Sequence, residues 1–161
     1  MKSNHAVVMA VLVTVLLAAF PKRLGGQAGT LPSHDLSALE KTFSTYSKDF
    51  QALEGPLRGD ELLEVEFLDD VATTAEDRLH AANAMLEMYN SVSCRPDREK
   101  VKAILKEQLD YYSWQMGNEA DRSAGSLQFA KMPAVAQTGL KMKDDLRAAK
   151  SKLDEIAASL K

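Results

Sequence analysis

Residues 59–90 read "GDELLEVEFLDDVATTAEDRLHAANAMLEMYN". From Gly59 to Asp77 the stretch holds eight carboxylates and no Lys or Arg. It is either a cluster of reactive acids or the wet side of a helix, and spacing decides between them. At 100° per residue, Leu68, Ala75, Leu79, Ala82 and Leu86 share one side of a helical wheel. Glu66, Asp69, Asp70, Glu76, Asp77, His80 and Glu87 fall on the other side, with Thr73 among them. The spacing therefore predicts an amphipathic helix with an apolar seam and an acidic outer ridge. Asp60, after Gly59, is the expected N-cap. Thr73 and Glu76 have the spacing of a capping box, which predicts a kink or a fresh start near residue 73.

The same period recurs on both sides of this segment. Upstream, Leu36, Leu39, Phe43, Tyr46, Phe50 and Leu53 step by three and four residues, with Ser33 or Asp35 available as a cap. Downstream, Val101, Leu105, Leu109, Tyr112 and Met116 form a third seam, with Pro96 at its expected first helical position. Met142, Leu146, Ala149, Leu153, Ile156 and Leu160 form a fourth. Gly- and Pro-bearing breaks at 53–61 and 91–99 are short, and no segment alternates like a strand. The prediction is an all-α fold: an antiparallel helical bundle of about four amphipathic helices with coiled-coil-like seams. The region from Gly117 to Pro133 is expected to break the pattern as a loop or a short extra helix. Seams so close to a seven-residue repeat also permit association between chains.

The N-terminus has a different character. Lys2 precedes a run from Ala6 to Phe20 that is apolar except for Thr14. That length fits the core of a signal peptide, whereas a membrane-spanning helix needs about 20 residues. Gly26 and Ala28 suit the positions before a cleavage site, so residues 1–28 read as a signal peptide and 29–161 as one bundle domain. Lys22 and Arg23 after the run support the alternative of a retained anchor, the one case that implies membrane contact. Loss of Lys2, Lys22 and Arg23, with no acid, takes the formal net charge from −3 to −6. An acidic domain lacks the basic face that duplex nucleic acid requires, so no nucleic-acid partner is expected. Secreted or periplasmic localisation follows from the signal reading.

Three sets of residues are candidates for function. The first is metal: Glu76 and Asp77 lie four and three residues before His80, so all three can meet on one helix surface. Di-metal bundles need a second such motif pointing inward, and this chain has no counterpart to the first. The second is charge. Glu66, Asp69 and Asp70 on the acidic ridge are matched by a basic last segment with Lys131, Lys141, Lys143, Arg147, Lys150 and Lys152. The two faces are expected to flank a shared groove or to meet across a dimer. The third is Trp114, the only tryptophan, which the wheel places nearly opposite the third seam. An outward tryptophan is a candidate contact residue, because it covers a large area at low entropic cost. Its alternative is cover by the segment at 125–133.

Two smaller features complete the inventory. Gln108 and Gln115 near Tyr112 suit an interhelical pocket for a small ligand. Cys94 is the only cysteine, so an internal disulfide is impossible and the core must rest on packing alone. Its turn also holds Arg95 and Arg98, and an intermolecular disulfide is its one functional reading. No G-x-S-x-G elbow, phosphate loop, dinucleotide fingerprint or haem motif is present, and no catalytic residue or cofactor is assigned. The expected function is non-enzymatic: a protein partner or self-association, as a scaffold or assembly factor. Small-ligand or divalent-cation binding is the alternative.

Overall fold

A computed structural model describes residues 36–127 and 130–160. The signal segment, the cleavage after Ala28 and the caps at Ser33 and Asp35 lie outside the described residues. The described residues form four helices: α1 (Ser37–Glu54), α2 (Asp60–Ser91), α3 (Arg95–Leu127) and α4 (Pro133–Ser159). The chain is an all-α helical bundle, as its seams predict.

Side-chain pairings fix the register. Leu36 meets Asn83, Glu40 meets His80, Ser47 meets Thr73 and Gln51 meets Asp69, so α1 and α2 are antiparallel. Glu64 meets Ser126, Phe67 meets Arg122 and Tyr89 meets Arg98, so α2 and α3 are antiparallel too. Asp154 meets Ser113 and Arg147 meets Asp121, which runs α4 back along α3. The circuit closes where the Tyr46 hydroxyl donates to Asp145 at 2.6 Å, joining α1 to α4. The closest pairings are α1 with α2 and α3 with α4, and α2 and α4 stand diagonally. At 1.5 Å per residue α2 and α3 are each about 50 Å long, so they run past the start of α1 and the end of α4.

The predicted seams form one core. Phe43, Phe50, Leu68, Leu79, Leu105, Leu109, Met116, Met142, Leu146, Leu153 and Ile156 are fully buried. Each such side chain contributes about 1.5–3 kcal/mol relative to exposure, which lets the fold stand without a disulfide.

Four local expectations are corrected. Asp60 is the first helical residue of α2, not its cap; the chain enters through Gly59 at φ 64°, a conformation that glycine adopts without strain. There is no restart at residue 73, because the Thr73 hydroxyl lies 3.2 Å from Ser47 Oγ on α1 instead of capping α2. Pro96 is the second residue of α3, still within the first turn, where its missing N–H costs nothing. The largest correction is at 117–133: α3 continues through Gly117 and Gly125 to Leu127. Both glycines sit in a helix held by its inward face, where Met116, Ala120 and Ser123 are buried. The Lys150 stem of α4 packs beside Gly117, 3.4 Å from where a Cβ would be, which is ordinary contact distance.

Candidate interaction surface

Trp114 stands outside the bundle, 60% exposed, and stacks on Tyr111, itself 48% exposed, with centroids 6.2 Å apart and planes at 26°. No described segment covers it, so the described residues of the 125–133 region form no second layer there. Among the described residues, the other exposed large hydrophobic side chains are Leu63 (63%), Ile104 (41%) and Leu140 (47%). Ile104 lies on α3, seven residues before Tyr111. Leu63 lies one turn before Phe67, on the flank of α2 that meets α3. Leu140 lies two turns before Arg147, on the flank of α4 that reaches Asp121 of α3. All five therefore belong to one side of the bundle, the side on which α3 is central.

The Gln115 amide donates to the Tyr111 hydroxyl on the surface. At the pocket expected near Tyr112, Gln108 and Gln115, both glutamines are half-buried and Tyr112 packs into the core. A cleft of about 380 Å³ opens between the start of α2 and the end of α3. Leu63, Phe67 and Ser126 line it, with Asp60, Glu61, Glu64 and Lys131 at its rim.

The acidic ridge divides along its length. Asp69 accepts from Ser47 at 2.5 Å and from Gln51 at 3.2 Å, so it is a partner of α1. Glu66 and Asp70 are exposed. The basic residues of α4 do not reach this ridge, because α2 and α4 are diagonal. Lys143 pairs with Asp144 at 3.5 Å, Arg147 with Asp121 at 3.4 Å and Lys150 with Asp154 at 2.6 Å. Among the described residues the ridge and α4 therefore share no acid–base groove, and of the basic set only Lys131 joins acids of α2, at the cleft with Asp60, Glu61 and Glu64.

His80 Nδ1 lies 3.0 Å from Glu40 Oε1 on α1, and Glu40 also accepts from Asn83 at 3.4 Å. Asn83 in turn accepts the Leu36 amide, supplying one of the unpaired N–H groups at the start of α1. His80 is committed to this seam, and among the described residues no three potential ligands converge with Glu76 and Asp77. Cys94 is exposed in the turn before α3, while the Arg98 guanidinium sits 4.6 Å above the Tyr89 ring.

Sequence reasoning missed Arg78. Its Nη1 atom is buried and has no hydrogen-bond partner among the described residues. Burial lowers its pKa from the ordinary arginine value, while Glu119, Tyr111, Tyr112 and Asp70 oppose that shift. The wheel separates Arg78 from the seam and places it toward α3, but the turning of its head group under that helix is a tertiary outcome.

No protein-family model matches the chain, and no curated protein or solved structure matches it.

Proposed function

We propose that this is an extracytoplasmic, non-enzymatic protein that works through protein contacts, as a scaffold or assembly factor. The observation that carries this reading is the gathering of five exposed large hydrophobic residues on the α3 side, with the Trp114–Tyr111 stack at its centre. A tryptophan held in solvent contributes nothing to the core and costs solubility, whereas at an interface it is the residue type that most often dominates affinity. The signal-like segment at 1–28 supports export, and none of the described helices is long and apolar enough to cross a membrane.

Crosslinked recovery from the native envelope or medium tests the reading, comparing wild type with Trp114→Ala. Loss of a crosslinked species with the variant is expected; identical crosslinked species would overturn it.

A second reading, small-ligand binding, rests on the cleft beside Phe67. Its apolar floor and carboxylate rim suit an organic cation. Thermal shift with aliphatic and aromatic amines tests it, because a ligand that binds only the folded chain raises its stability.

A further inference from the structure

The outward face of α3 has a seam of its own. Ile104, Glu107, Tyr111, Trp114, Asn118 and Arg122 step by 3, 4, 3, 4 and 4 residues, and Gly125 follows three later. Five of these seven are charged, aromatic or branched apolar side chains exposed to solvent, Asn118 is half-buried, and Gly125 has open space where a Cβ would be. Such spacing is what one helix presents to another.

This seam is complementary to itself when read backwards. We propose that a second copy of the chain occupies it, the two α3 helices packing antiparallel about a twofold axis near Trp114. The proposal rests on the protein-contact reading above and names the partner. In one register, Ile104 lies opposite the partner's Gly125, Glu107 opposite the partner's Arg122, and Tyr111 opposite the partner's Asn118. Trp114 meets the partner's Trp114 at the axis. Each pairing recurs by symmetry, as a closed dimer requires.

Charge and space both favour this occupant. Glu107 has no ion-pair partner among the described residues, and Arg122 is held at the surface by Glu119 at 3.0 Å and over the Phe67 ring at 5.1 Å. The twofold brings these unlike charges together twice. The open surface at Gly125 receives an isoleucine. By register Leu63 on α2 and Leu140 on α4 stand level with the Gly125 turn, one on each side of it. They form walls around the partner's Ile104, so one arrangement covers all five exposed large hydrophobic residues.

The arrangement also decides the role of Cys94. It lies twenty residues from Trp114, about 30 Å along the helix, so the two copies of Cys94 would be about 60 Å apart. A disulfide needs Cα atoms within about 7 Å, so none forms across this dimer.

Sedimentation equilibrium on the full chain tests the proposal. Wild type is expected to dimerise, and Trp114→Ala to raise the dimer Kd by about 30-fold, as loss of a central anchor does. Glu107→Arg and Arg122→Glu each weaken the dimer, and the double reversal restores it. Gly125→Leu fills the space for the partner's Ile104 and dissociates the dimer. It removes a helical glycine, so its thermal transition is not lowered relative to wild type when both are compared at concentrations where wild type is monomeric. A monomer at every concentration, or a dimer indifferent to all these changes, overturns the proposal. If the chain is monomeric while Trp114→Ala still abolishes crosslinking to a different protein, the second copy is wrong and the contact reading stands.

Discussion

The side chain of Leu127, the last residue of α3, lies over Gly139 on α4, where an added Cβ would overlap it. The Leu127 Cδ1 and Cγ atoms would also be only 3.1 and 3.2 Å away. This contact holds the end of α3 against the start of α4 and so fixes the end of the bundle where Leu63 and Leu140 stand. Gly139→Ala gains roughly 1 kcal/mol of helix propensity, but overpacking costs about 1–3 kcal/mol. A net loss is therefore expected in chemical denaturation. In a Leu127→Ala background the clash is gone, and the same substitution is expected to stabilise by roughly 1 kcal/mol relative to that background. Equal effects in both backgrounds would show that the contact carries no strain.

The division of the acidic ridge predicts unequal effects from similar acids. Asp69→Ala leaves the buried Ser47 hydroxyl with only the Thr73 oxygen, at 3.2 Å, to accept from it and is expected to cost about 1 kcal/mol. Glu66→Ala and Asp70→Ala change exposed positions and are expected to stay within about 0.5 kcal/mol. Three denaturation curves settle the ranking.

Asp154 predicts a pH dependence. Burial raises its pKa, but hydrogen bonds from Lys150 and Ser113, with the Lys150 charge, outweigh that and leave it below the usual carboxylate value. Because the folded value is the lower one, the stabilisation is complete above the ordinary aspartate pKa of about 3.9 and is lost as pH falls through the folded value. Asp154→Asn is expected to flatten the acid limb of a stability–pH curve. The effect is small, because the pair is nearly half exposed. An unchanged acid limb would count against the Ser113–Asp154–Lys150 cluster as a source of stability.

The core was legible because helical spacing is a local property that burial then confirms. Leu68, Leu79, Leu105 and Leu146 all went where a wheel puts them. The run of α3 past Gly117 was not legible, because a glycine that breaks an isolated helix is tolerated when a neighbouring helix packs on it. Here that neighbour is α4, whose Lys150 stem, 33 residues away in sequence, packs beside Gly117. The ridge was half legible: its separation from the seam follows from the period, but the capture of Asp69 by Ser47 depends on the register of α1. Trp114 was the reverse case. Its outward direction followed from the wheel, whereas the stack with Tyr111 and the company of Leu63 and Leu140 required the bundle.

Trp114 is the only tryptophan, so its fluorescence reports on the α3 face without labelling. The most direct measurement is acrylamide quenching of its emission over a dilution series of the full chain, alongside sedimentation. Shielded, blue-shifted emission at high concentration should give way to fully quenchable, red-shifted emission as the assembly dissociates. Emission and quenching that stay constant across the range in which the mass changes would place Trp114 outside the contact and contradict the account.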